Sequence, residues 1–142
     1  MSLGADSVEA LFLDANVLIS AAWKEGAEVA LLWRFERVRL ITSGYVLGEV
    51  QRNLHQASQI ERLRTLMGSV QIHYFEDLPD ILESLSLPTK DRPVLAGAVA
   101  ALADHLVTGD KKHFGPFYGT RIHGVRITPP SELLAVLRQK LP

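Results

Sequence analysis

Ala10-Leu11-Phe12-Leu13-Asp14-Ala15-Asn16 is the stretch that decides how this chain is read. An apolar run ends abruptly in an aspartate, and a second polar side chain follows two positions on. Short apolar runs bounded by turn residues read as buried strands. In open α/β sheets the ligand sits outside the carboxyl ends of the strands, so Asp14 stands where a parallel sheet places its chemistry. Asp14 reads equally well as the N-cap of a helix through residues 17–22. Other carboxylates arriving at the same edge would separate the two readings.

Working outward, Gly26 breaks that first helix, and residues 27–37 carry Val29, Leu32 and Trp33 at helical spacing. Residues 39–42 form a second strand. Ser43 caps a helix from 44 to about 56, with Val46, Leu47, Val50 and Leu54 as its apolar stripe. A further helical piece at 58–67 ends at Gly68. Residues 70–75 are rich in strand formers, and 77–85 read as a short amphipathic helix. Lys90-Asp91-Arg92-Pro93 opens the next helix, because proline suits a helix start. Residues 94–103 are apolar nearly all round, which implies a buried helix. Strand four covers 105–108, followed by Gly109-Asp110 and a loop with a turn of helix over 111–118. A last strand at 124–128 is expected at the sheet edge, and Pro129-Pro130-Ser131-Glu132 opens a C-terminal helix with Leu133, Leu134 and Leu137 inward. Strands alternating with helices argue for a parallel α/β sheet with crossover connections.

A chain of 142 residues with 47% hydrophobic content suits one compact domain over 1–142, its folded core at about 9–139. A formal net charge of -1 excludes a nucleic-acid binder that is basic over its whole surface but leaves room for a local basic patch. With no cysteine there is no disulfide or thiolate metal site, which agrees with a reducing cytoplasm. No basic n-region precedes an apolar stretch, and the apolar run at 94–103 is too short to span a bilayer. The expected location is therefore cytoplasmic, without a membrane partner.

Four acids stand out by position. Asp14 follows strand one and Asp110 follows strand four. Asp91 precedes the buried helix leading into strand four, and Glu49 lies at the flank of the apolar stripe on its helix. Taken singly, Asp91 is a good helix cap, Glu49 a solvated helical acid and Asp110 a turn residue after glycine. Taken together they suggest one site. Like charges so gathered raise one another's pKa values. A hard divalent cation removes that cost, and oxygen-only ligands suit Mg²⁺ or Mn²⁺. Such ions activate water and stabilise charge on phosphoryl oxygens, the chemistry of phosphodiester hydrolysis. Asp104, at the end of the buried helix, is expected to support the site from behind. Trp23, Trp33 and Phe35 fit the core better than an interface.

Leu11 through Ser20 resembles the opening of PIN-domain proteins, and so does the block from Lys90 to Ala98 and on from Ala103 through Thr108-Gly109-Asp110-Lys111-Lys112-His113-Phe114. The resemblance is closest to the bacterial and archaeal toxins of toxin–antitoxin pairs, the VapC-like ribonucleases, and covers about residues 9–137. It implies a three-layer α/β/α fold with a five-stranded parallel sheet. It also implies a Mg²⁺- or Mn²⁺-dependent ribonuclease, homodimers, and often inhibition by a small antitoxin. The family's four acids fall on Asp14, Glu49, Asp91 and Asp110, and Asn16 and Thr108 match its polar residues beside the metal.

An RNA substrate needs positive charge near an acidic site. Lys90 and Arg92 bracket Asp91, while Lys111, Lys112 and His113 follow Asp110, so these residues are expected to steer phosphates. A solvated loop surface is the plainer reading of the same charges, and His113, a lone histidine, reads as surface or structural. A haloacid-dehalogenase-type phosphatase also places an aspartate after its first strand, but it needs a second aspartate where Asn16 stands. A phosphate-receiver domain lacks its paired acids here. A non-catalytic RNA-binding or protein-interaction module on the same fold is the rival from another class, and metal binding separates it from the enzyme.

Overall fold

The structure, a computed structural model, describes residues 8–76, 78 and 85–139. The opening run forms strand β1 (Glu9–Leu13), in which Leu11, Phe12 and Leu13 are all fully buried. Successive strand residues point to opposite faces, so burial of all three means that both faces of β1 are covered. The remaining strands are β2 (Val38–Ser43), β3 (Val70–His73), β4 (His105–Val107), β5 (Arg121–Ile122) and β6 (Val125–Thr128). They form a sheet in the order β3-β2-β1-β4-β6-β5. Every neighbouring pair is parallel except β5 with β6.

The five parallel strands expected are thus present, joined by a short sixth. That sixth strand corrects one expectation: β6 is not at the edge. His123 and Gly124 both take positive φ, 49° and 86°, and so turn β5 back along β6 in a two-residue hairpin.

The chain begins at the centre of the sheet, moves out through β2 to β3, then crosses back past β1 to β4. The strand order therefore reverses between β1 and β4. That reversal leaves a crevice at their carboxyl ends, because the connections on either side of it depart in opposite directions.

The helices are α1 (Ala15–Trp23), α2 (Gly44–Asn53), α3 (Ala57–Met67), α4 (Arg92–Ala100) and α5 (Pro130–Gln139). Ser43 caps α2 by accepting the Val46 N–H at 3.3 Å. In α4, Val94, Leu95, Ala96, Gly97 and Ala98 are buried, as a helix apolar all round must be. It lies tightly on β1: a Cβ at Gly97 would sit 3.3 Å from the Phe12 ring. The 27–37 segment is not an α-helix. Its Glu28–Arg34 part is 3₁₀, with Leu32 alone fully buried. A 3₁₀ helix rises about 2.0 Å per residue against about 1.5 Å, which suits a short connector that anchors one side chain on its way to β2. The helix expected over 77–85 falls almost wholly outside the described residues. Trp33 and Phe35 pack half-buried against the core, whereas Trp23 is 54% exposed. Among the described residues no helix is long and apolar enough to cross a membrane.

Candidate functional site

β1 and β4 end side by side, with Leu13 paired to Val107. The residues that follow, Asp14 and Thr108, therefore meet at the crevice. Asp14 is only 5% exposed. Its Oδ1 accepts the Ala15 N–H at 2.7 Å, so it does cap α1. Its Oδ2 accepts the Thr108 hydroxyl at 2.8 Å and the Asn16 amide at 3.1 Å. Thr108 Oγ1 in turn accepts from Asn16 Nδ2 and from the Asp110 N–H, both at 3.2 Å. One donor and two acceptor positions are all that a hydroxyl offers, and all three are used. Asn16 Oδ1 accepts the Gly109 N–H at 2.7 Å, which ties the start of α1 to the loop after β4. Burial is the main cause raising the Asp14 pKa from 3.8 to about 6. The donors from Thr108 and Ala15 oppose the rise, and the charges of Glu49 and Asp91 add to it.

Asp91 stands just ahead of α4, the position of a cap, yet its side chain makes no capping bond. It faces His113 instead: His113 Nδ1 lies 2.9 Å from Asp91 Oδ2 and 3.0 Å from Asp110 Oδ2. Neither contact has the alignment of a hydrogen bond. Asp110 Oδ1 accepts the His113 N–H at 3.1 Å, closing the turn that makes the two side chains face each other. The Asp91 pKa is raised, first by burial. The His113 ring opposes the rise, the Asp110 charge adds to it, and Lys90 opposes it. Glu49 is half-buried on α2. It makes itself felt through charge: it pushes up both Asp14 and Tyr45.

Two tyrosines border the acids. The Tyr45 hydroxyl donates to the Lys90 carbonyl at 2.7 Å, and the Tyr118 hydroxyl to the Thr108 carbonyl at 2.8 Å. Burial raises the pKa of each; Glu49, Asp91 and Asp14 then push on Tyr45, and Asp110 and Asp14 on Tyr118.

The four acids selected from sequence thus share one electrostatic neighbourhood, but not equally. Among the described residues, Asp91, Asp110 and His113 can each bring a ligand atom within 4.8 Å of the others. Asp14 and Glu49 stand outside that tight set. The donors suit a hard divalent cation: carboxylate oxygens predominate, and Asp91 Oδ2 is buried without an aligned donor. A cation there would also offset the burial and neighbouring charge that raise Asp14 and Asp91.

Asp104 corrects an expectation, since it does not reach this edge. Its Oδ2 accepts the Ala10 N–H at 2.7 Å, at the amino end of β1. It precedes β4, whereas Thr108 follows it; four residues of strand put about 13 Å between them. Lys90, Lys111 and Lys112 are exposed, and Arg92 is half-buried. Two shallow clefts flank the acids. One, of about 440 Å³, is lined by Tyr45, Tyr74, Phe75 and Pro93 among others. The other, of about 500 Å³, runs from Asn16 and Gly109 along Ser20 and Lys24. Tyr45 and Tyr118 are the site's neighbours that sequence reasoning passed over, while His113, expected to steer phosphates or to lie at the surface, turns its ring to Asp91 and Asp110. The one signal for His113 was its spacing of three from Asp110.

A family model described as PIN domain matches residues 10–112. Solved structures of similar shape include VapBC2 from Rickettsia felis bound to a DNA fragment from its promoter, at 19% identity. That match covers 84% of this chain and 98% of the other, with a TM-score of 0.62. VapBC-1 from nontypeable Haemophilus influenzae matches at 16% identity, over 86% of this chain and 98% of the other, with a TM-score of 0.59. At such identities the likeness is one of fold. No curated protein sequence matches significantly.

Proposed function

Since the chain belongs to the PIN-domain family, we propose that it is a divalent-metal-dependent endoribonuclease and the toxin of a toxin–antitoxin pair. The observation that carries the reading is the shared electrostatic neighbourhood of Asp14, Glu49, Asp91 and Asp110 beside the β1–β4 crevice, with the most buried of them pushed up to about 6. A one-domain nuclease with its core at about 9–139, acting in the cytoplasm as a homodimer, completes the proposal. The likeness to two VapBC assemblies supports a small antitoxin as partner.

Asp91 and Asp110 would hold Mg²⁺ or Mn²⁺ directly, with Asp14 and Glu49 holding it directly or through water. Bound there, the ion supplies Lewis-acid stabilisation of charge on the phosphoryl oxygens. The chain's own groups do the rest. Asp14 is fixed by three donors, so it presents its charge without reorganising. Glu49, half-buried and on the opposite element, orients the attacking water. Water adds to phosphorus in line as the P–O3′ bond breaks, and the proton that water gives up ends on the departing 3′ oxygen, leaving 5′-phosphate and 3′-hydroxyl ends. Lys90, Arg92, Lys111 and Lys112 steer the backbone phosphates, and Tyr45 and Tyr74 in the flanking cleft offer faces on which bases stack.

The test is cleavage of a mixed RNA pool with Mg²⁺ or Mn²⁺, with and without EDTA, and with the cut ends mapped. The proposal expects EDTA-sensitive cleavage that Asp110→Asn abolishes while the variant stays folded. Cleavage that survives EDTA, or a folded Asp110→Asn variant cutting at the wild-type rate, would overturn it.

A further inference from the structure

We propose that His113 is an inner-sphere ligand of the cation through Nδ1, and that this nitrogen makes the site prefer Mn²⁺ to Mg²⁺. The inference rests on the metal-site reading above and adds a residue to it. Nδ1 lies 2.9 Å from Asp91 Oδ2 and 3.0 Å from Asp110 Oδ2, yet is aligned for a hydrogen bond with neither. A ring nitrogen directs one proton or one lone pair along one line, so it cannot hydrogen-bond both oxygens at once. The three atoms are better described as converging on a common point. Adjacent ligands of an octahedral cation with bonds of about 2.1 Å stand about 3.0 Å apart, which matches both separations. Around a tetrahedral ion with bonds of about 2.1 Å the same edge would be about 3.4 Å.

The turn that carries the ring is held by backbone bonds before any ion arrives. The His113 N–H is held by Asp110 Oδ1 at 3.1 Å, and the Phe114 N–H by the Asp110 carbonyl at 2.9 Å. The Phe114 side chain is fully buried and pins that turn to the core. Imidazole nitrogen favours transition ions, while Mg²⁺ favours oxygen and keeps its water. One nitrogen among oxygens therefore shifts selectivity without excluding either ion. The competing account makes His113 a positive bridge that holds two acids together and must be displaced by the cation. Under that account, removing the ring would leave Mn²⁺ binding unchanged or tighter.

Two measurements separate the accounts. Electron spin-echo envelope modulation of the Mn²⁺-loaded wild-type protein should show nitrogen coupling from a directly bound imidazole, and this needs no variant. Calorimetric titration of wild type, His113→Ala and Asp110→Asn with Mn²⁺ and Mg²⁺ gives the selectivity. His113→Ala should weaken Mn²⁺ binding roughly tenfold or more, and Mg²⁺ binding less than about threefold. Absence of nitrogen coupling in the wild type, or an unchanged Mn²⁺/Mg²⁺ ratio in His113→Ala, overturns the proposal. If Asp110→Asn loses Mn²⁺ binding while either of those results holds, the metal site stands and only His113's role falls. If Asp110→Asn binds Mn²⁺ like wild type, the metal-site reading itself falls, and this inference with it.

Discussion

Replacing Asp14 by Asn should change the pH dependence of stability in a calculable way. In the folded protein the Asp14 pKa is raised from 3.8 to about 6, with burial the main cause. The folded state therefore holds the proton more tightly than the unfolded state does. Its contribution to stability is fully present below pH 3.8 and is lost as pH rises through about 6. The full loss corresponds to about 3 kcal/mol, of which roughly 2 kcal/mol falls between pH 4.5 and pH 7.5. Asn cannot ionise, so Asp14→Asn removes this loss. The variant keeps an oxygen for the Ala15 N–H, but its amide now faces the Asn16 amide where a carboxylate oxygen accepted. That mismatch costs stability equally at both pH values. The quantity to measure is thus the change in the wild-type-minus-variant difference, from urea unfolding in EDTA at pH 4.5 and 7.5. We expect wild type to lose about 2 kcal/mol relative to Asp14→Asn on going to the higher pH. Parallel profiles, or a relative gain by wild type, would refute the picture of a buried, destabilised acid. Saturating Mn²⁺ should then restore much of the wild-type loss, since a ligand bound only by the folded state stabilises it.

Thr108→Val, nearly the same shape at a fully buried position, removes a donor from Asp14 and an acceptor from Asn16 and Asp110. It should cost about 2 kcal/mol or more by urea unfolding, and a loss under about 0.5 kcal/mol would sink the network's importance. Lys111→Glu combined with Lys112→Glu should flatten the salt dependence of single-stranded RNA binding, lowering the slope of log K against log salt by about 1 or more. An unchanged slope would remove the two lysines from the RNA path. Asp104→Ala should cost about 1–2 kcal/mol through the lost bond to the Ala10 N–H, yet leave metal-dependent cleavage at the wild-type rate. A large loss of cleavage in that variant would contradict its place at the far edge of the sheet.

The parts of this molecule that were legible from sequence are those fixed by local pattern. An apolar run closed by an acid marks the end of β1 at Asp14, which meets Thr108 at the end of β4 because the two strands are parallel neighbours in register, and Asp110 follows two residues on. Asp-Arg-Pro marked the start of α4, and with it the place of Asp91. Direction of side chains was not legible. A lone histidine three residues after an acid says nothing about where its ring points until the turn closed by the His113 N–H is known. The misplacement of Asp104 had a different cause. In a parallel sheet every strand starts at one edge and ends at the other, so an acid just before a strand cannot join acids that follow strands. That rule was available from the sequence reading of 105–108. The β5–β6 hairpin was hidden because its turn puts a histidine, rather than asparagine or aspartate, at positive φ.

The four acids are not interchangeable corners of one cage. Asp14 has both oxygens engaged by donors that the fold itself holds: a backbone N–H of its own helix, the Asn16 amide and the Thr108 hydroxyl. Such a carboxylate is rigid, and its burial makes its charge costly in the absence of a cation. Asp91 is the reverse case. It stands where a cap would stand, makes no cap, and leaves a buried oxygen without an aligned donor. Asp110 divides the two roles, one oxygen closing the turn and the other turned to His113. A cation entering the crevice would gain new bonds mainly from Asp91 and Asp110, and long-range charge mainly from Asp14. Loss of Asp91 should therefore remove binding, whereas Asp14→Asn should weaken it while sparing part of it. A calorimetric ranking with Asp14→Asn binding Mn²⁺ more weakly than Asp91→Asn would reverse this division of labour.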